Sequence, residues 1–184
     1  MFTVSIIAFL SLTQITEDAR LMRHPDIHEN RIVFSYGGDL WVVTAEGGVA
    51  RQLTRSPGNE MFPKFSPDGK QIAFSGQFEG NTEVYVMPSE GGEAKRLTTH
   101  PLGDAVLDWT PDGKNIIFRS ARESKNGRFA EAFLISAEGG TPRNLNLGES
   151  GLASPSPDGR AFAYNRIPTE SATWKRYRGG LQSY

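Results

Sequence analysis

Three aspartates recur in this chain at a nearly fixed interval. Asp68, Asp112 and Asp158 each sit in a Ser/Thr-Pro-Asp-Gly tetrapeptide, spaced 44 and then 46 residues apart. Gathered in space, they could hold a metal or exchange protons as paired carboxylates. Ser66 and Ser156, inside the same phrases, could be nucleophiles only with a base and an orienting group beside them. His24 and His28 have the i, i+4 spacing of a helical ligand pair, but Pro25 between them opposes the helix, so they read as turn or loop histidines. The chain has no cysteine, which removes thiolate chemistry, disulfides and Cys-based metal sites together. It also has no Gly-rich phosphate loop, His-Glu-x-x-His helix or Gly-x-Ser-x-Gly elbow.

The spacing gives the aspartates a plainer role. Pro sets φ, Asp bonds the following backbone, and Gly takes the positive φ of a tight hairpin. A second phrase keeps the same interval: Glu46-Gly47-Gly48, Glu90-Gly91-Gly92 and Glu138-Gly139-Gly140. Six residues before each first glycine stands an aromatic (Trp41, Tyr85, Phe133), and six after it a leucine (Leu53, Leu97, Leu145). Such self-similarity marks an array of structural repeats. One repeat reads as four short strands: Glu60 to Phe65, Gln71 to Ser75, Glu83 to Met87 and Ala94 to Thr98. The first unit, Leu21 to Thr54, reads as the last three strands only, with His28-Glu29-Asn30 in place of the Pro-Asp-Gly turn.

Four antiparallel strands in about 40 to 45 residues are the unit of a β-propeller blade. The fold class expected is therefore all-β, a partial β-propeller of about three and a half blades. Its units cover residues 20–54, 55–98, 99–146 and a truncated 147–184. An incomplete ring implies that the chain is part of a longer protein. A blade cannot shield both of its faces, so residues such as Ile72, Phe74 and Tyr85 must pack on neighbouring blades. Rotational symmetry would then hold the three aspartates apart around the ring. No catalytic residue, metal or cofactor is expected in this segment.

Lys64, Asp108 and Ser154 occupy equivalent places just before the hairpins, on what should be the innermost strands. They are the candidates for contact with a ligand in the central channel. Arg51, Lys95 and Arg143 share one place in the last strand, where charge would guard an outer edge against pairing. The densest basic-aromatic run, with Lys175, Arg176 and Arg178 in "TWKRYRGG", could receive an acidic group or a peptide carboxylate. Twenty Lys and Arg against twenty-one Asp and Glu leave no basic field for a phosphate backbone, so nucleic acid is not an expected partner. Residues 1–19 include "MFTVSIIAFLSL", an apolar run the length of a signal-peptide core. No later stretch approaches the roughly 20 apolar residues of a membrane span. Export to the periplasm is one expectation and the cytoplasm the alternative, because no Lys or Arg precedes the run.

"RHPDIHENRIVFSYGGDLWVV", the blades built on "FSPDGKQIAF" and "WTPDGKNIIF", and "TWKRYRGG" together resemble the amino-terminal propeller of tricorn-type proteases, from Arg20 to Tyr184. The resemblance implies a six-bladed ring in a large serine peptidase. There a second propeller, a PDZ-like domain and a catalytic domain follow, and the propellers gate and guide oligopeptides toward the active site. It further implies partners among the other domains of the same chain and a homo-oligomer at full length. The family's nucleophile lies downstream, so none transfers to this sequence. A basic pair that can anchor a peptide carboxylate in the family is absent, because the approach to the second Pro-Asp-Gly of this chain reads Leu102-Gly103-Asp104-Ala105. The Ser-Pro-Asp-Gly blade itself is shared with TolB and with the propellers of prolyl oligopeptidase and dipeptidyl peptidase relatives. A TolB-like protein-binding propeller and an oligopeptidase propeller therefore remain as alternatives.

Overall fold

The computed structural model describes residues 21–124 and 129–166. The apolar leader and the "TWKRYRGG" run fall outside the described residues. Among the described residues, fourteen strands form three four-stranded antiparallel sheets and one two-stranded hairpin. The first blade holds β1 (Arg23–His28), β2 (Arg31–Tyr36), β3 (Asp39–Thr44) and β4 (Arg51–Gln52). The second holds β5 (Asn59–Phe65), β6 (Gln71–Gln77), β7 (Glu83–Pro88) and β8 (Lys95–Arg96). The third holds β9 (Asp104–Trp109), β10 (Asn115–Ser120), β11 (Glu131–Ser136) and β12 (Arg143–Glu149). Strands β13 (Ala153–Pro155) and β14 (Phe162–Tyr164) begin a fourth. Each four-stranded sheet follows chain order, the meander that a propeller blade requires.

The first unit differs from expectation because it is complete. Its inner strand β1 is as long as β9 and carries the same irregularity as β5. Pairing with the next strand shifts between Arg23 and Asp26 in β1, and between Met61 and Lys64 in β5. His24 at φ 51° and Phe62 at φ 54° take the left-handed conformation at these two bulges, and their rings meet at a tilt of 46° with centroids 4.1 Å apart. A two-residue turn, with Glu29 at φ 50°, replaces the longer Pro-Asp-Gly turn and hides this strand from alignment by sequence.

The turns explain why the tetrapeptide opens on a hydroxyl. Ser66 Oγ, Thr110 Oγ1 and Ser156 Oγ donate to Asp68, Asp112 and Asp158 at 2.7, 2.6 and 2.5 Å. Each also accepts an amide from across the turn, that of Gln71, Asn115 or Ala161, at 2.9–3.0 Å. The carboxylates in turn accept the amides of Lys70, Lys114 and Arg160 at 3.1 Å. Gly69, Gly113 and Gly159 turn the chain at φ 67°, 68° and 69°, where a Cβ would be strained. These bonds hold all three aspartyl carboxyls below their usual range, the hydroxyl contributing most and the amide next.

Packing between blades uses the two-residue period of the strands. Ile72 and Phe74 of β6 pack with Val33, Leu40 and Val42 of the first blade. Ala73, between them, packs with Val106, Ile116 and Phe118 of the third. Ile117 of β10 faces Ala153 and Phe162 of the fourth. Each large side chain so buried contributes roughly 1.5–3 kcal/mol. Backbone stitches repeat at the same place: Glu60 N donates to Gly38 O, Asp104 N to Thr82 O, and Ser150 N to Ala130 O, at 2.7–2.9 Å. The outer-strand cations also join blades and do not merely guard an edge. Arg51 reaches Glu90 O at 3.0 Å and Lys95 reaches Glu138 O at 3.0 Å, each also meeting the carboxylate. Long side chains on a short outer strand span the gap to the next blade's Glu-Gly-Gly turn.

Candidate functional site

The inner strands β1, β5, β9 and β13 wall a cavity of about 610 Å³. Lys64, Asp108 and Ser154, the three channel candidates, all line it. Their head groups are joined between blades. Lys64 Nζ donates to Asp26 Oδ1 at 2.9 Å, and Ser154 Oγ donates to Asp108 Oδ2 at 2.7 Å. Asp26 holds the same inner-strand position as the other three, since Asp26 pairs with Val33 as Lys64 pairs with Ala73. The sequence reading missed it because the shorter turn broke the alignment. Counting back from a two-residue turn would have found it.

Asp26 does more than balance charge, since its second oxygen accepts the amide of Phe65 at 2.9 Å. Trp109 Nε1 donates to Lys64 O at 2.9 Å and ties the second blade to the third. The result is a belt of inter-blade bonds just inside the hairpins. It leaves Lys64 and Asp26 with 31% and 20% of their side chains accessible, enough to meet a ligand without giving up the pair. The rest of the wall is mostly apolar, with Pro25, Phe62, Pro63, Leu107, Leu152 and Tyr164 beside the polar His24 and Asn165. Proline removes an N–H from the wall, so an extended chain passing here has few fixed backbone partners.

Ser66 and Ser156 lie away from this cavity. Their hydroxyls are bound to aspartate and backbone in the turns, without a histidine or lysine base in those bonds. The three turn aspartates each close their own hairpin. Among the described residues no group of three or more His, Cys, Asp or Glu is placed to hold a metal ion, and no helix is long and apolar enough to cross a membrane.

The bladed four-stranded sheets agree with a match over residues 19–184 to the tricorn protease N-terminal beta propeller domain. The chain belongs to that family. Tricorn protease homolog 1 of Streptomyces coelicolor is 32% identical over 159 residues, covering 86% of this chain and 15% of the homolog. The crystal structure of the tricorn protease superposes with a TM-score of 0.73 at 28% identity, over 89% of this chain and 17% of that one. TolB from Acinetobacter baumannii superposes with a TM-score of 0.68 at 25% identity, over 82% of this chain and 39% of that one. The chain spans under a third of the length of the curated relatives it matches. As a tricorn-type propeller it keeps the blade that TolB shares.

Proposed function

We propose that this propeller segment is a non-catalytic wall of a tricorn-like serine peptidase that guides oligopeptides toward a catalytic domain elsewhere in the protein. The observation that carries the reading is the inner-strand cavity. Isolated polar side chains already paired across blades are set there among prolines and apolar residues. Such a wall contacts a peptide without reading its sequence, which suits passage better than tight capture. Its partners on this reading are oligopeptides and the remaining domains of the parent, which assembles as a homo-oligomer. Export to the periplasm fits the apolar leader and is tested by cell fractionation.

The test is an amide NMR titration with unstructured peptides of four to eight residues. Shifts are expected at Leu107, Leu152 and the Lys64 region, with little dependence on peptide sequence. Shifts confined to the outer turns, or produced only by a folded protein, would replace this reading with a protein-binding scaffold.

A further inference from the structure

We propose that a second cavity, between the first and second blades, receives a primary ammonium group, the amino terminus of a peptide, with Glu60 as its counter-charge. The cavity measures about 320 Å³ and is lined by Arg23, His24, Ser35, Tyr36, Asn59 and Glu60, among others. Glu60 is 1% exposed. Its Oε2 accepts the Leu40 amide at 3.2 Å and the Thr54 hydroxyl, while its Oε1 has no partner. Ser35 Oγ, on the same wall and in a residue 7% exposed, also has none. Two buried polar atoms without partners cost free energy until a donor arrives.

Other buried acids show what kind of donor is missing. Asp104, at the position of Glu60 in the next blade, is held through Oδ2 by Arg122 at 2.7 Å, although its Oδ1 has no partner either; the cation on the acid is what Glu60 lacks. Buried Glu83 is held by Arg96 at 3.3 Å and by Thr98. At the place of Arg122 the second blade has Phe78. The groups acting on Glu60 are Thr54, Ser56, the Leu40 amide and Asp39 of β3, whose charge adds to its own. Arg23 and His24 of β1 and Tyr36 of β2 complete the charged and titratable wall. Burial, the largest influence, raises the Glu60 carboxyl to about 7, so an ammonium bound near neutral pH would expel its proton into solution.

A metal ion suits the site poorly, since Glu60 is the one carboxylate on its wall and Arg23 adds a positive charge there, whereas a hard cation is bound by several oxygens, carboxylates foremost. An ammonium has three donors, enough for Oε1 and Oγ with one left for water. His24 lines both cavities, so a peptide in the channel can present its first residue here. In this respect the inference rests on the guiding role proposed above.

The test compares tetra-alanine with N-acetyl-tetra-alanine by calorimetry, in buffers of differing ionisation heat between pH 6 and 7. The free amine should bind at least tenfold more tightly and release a proton. Glu60→Gln and, as a milder variant, Ser35→Ala should each bring its affinity down to that of the acetylated peptide. Equal binding of both peptides, with shifts at Leu107 and Leu152, would overturn the ammonium site and leave the guiding role standing. Binding of neither would overturn both. Tighter binding of the free amine that survives both substitutions would place the ammonium elsewhere and also overturn the proposal.

Discussion

Arg122 and Phe78 occupy the same place in consecutive blades and cover the same aromatic pair by different means. The Arg122 guanidinium lies 5.0 Å from the Phe118 ring and 5.2 Å from that of Phe133. Phe78 meets the equivalent Phe74 and Tyr85 edge-on at 6.4 and 4.8 Å. Either residue caps the aromatics, but only the arginine also neutralises the buried acid at the start of the inner strand.

Phe78→Arg should therefore lower the Glu60 carboxyl from about 7 toward the usual carboxylate range, by roughly a unit or more. A carboxyl-detected NMR titration checks this. An unchanged midpoint would mean that the two positions are not interchangeable.

Glu60 also sets a pH dependence of stability. Its folded value lies above the unfolded one of 4.5, so between these values the native state holds the proton more tightly. Stability contributed by the neutral acid is complete below pH 4.5 and is lost as pH rises through about 7. The loss is on the order of 2 kcal/mol after solvent screening. Denaturant melts from pH 5 to 8 should show that slope in the native chain and lose it in Glu60→Gln.

The belt and the outer cations should differ in strength. Asp26→Ala leaves a partly buried lysine and the Phe65 amide without their acceptor, a cost of about 1–3 kcal/mol. Arg51→Ala and Lys95→Ala remove pairs whose carboxylates are 75% and 89% exposed, a cost below about 1 kcal/mol each. Urea midpoints would separate the two classes. A larger loss at Arg51 than at Asp26 would contradict the ranking.

Gly69 and Gly159 have nearly the same φ, 67° and 69°, but different surroundings. A Cβ at Gly69 would lie 2.3 Å from the His28 ring, whereas at Gly159 nothing comes closer than 3.9 Å. Gly159→Ala should cost only the strain of a left-handed residue, roughly 1–2 kcal/mol. Gly69→Ala should cost more, because His28 must also move, and its ring signals should shift with the substitution.

Blade count and turn positions were legible in the sequence because hairpin chemistry is local. Pro, Asp and Gly at fixed offsets dictate a turn wherever they fall, and the strands between them alternate toward two neighbours. The hydroxyl at Ser66 and Thr110 could have been read the same way, as the acceptor such a turn needs for its far amide. The partners of Lys64 and Asp108 could not, since each contact crosses from one blade to another. The extra strand of the first blade had no Pro-Asp-Gly to announce it, and its sequence signal was a two-residue turn between His28 and Arg31. The contrast between Glu60 and Asp104 came from a neighbour eighteen positions along the chain, Phe78 in one case and Arg122 in the other.

Because β6 serves two neighbours with alternate side chains, inserting one residue in the hairpin ahead of it would exchange them. Phe74 would then be driven into a space shaped for Ala73, and alanine left where a ring belongs. Length changes in this protein should accordingly be tolerated at the tips joining one sheet to the next. Within a sheet they should come in pairs, because a single-residue frameshift of the pleat would unseat two seams at once.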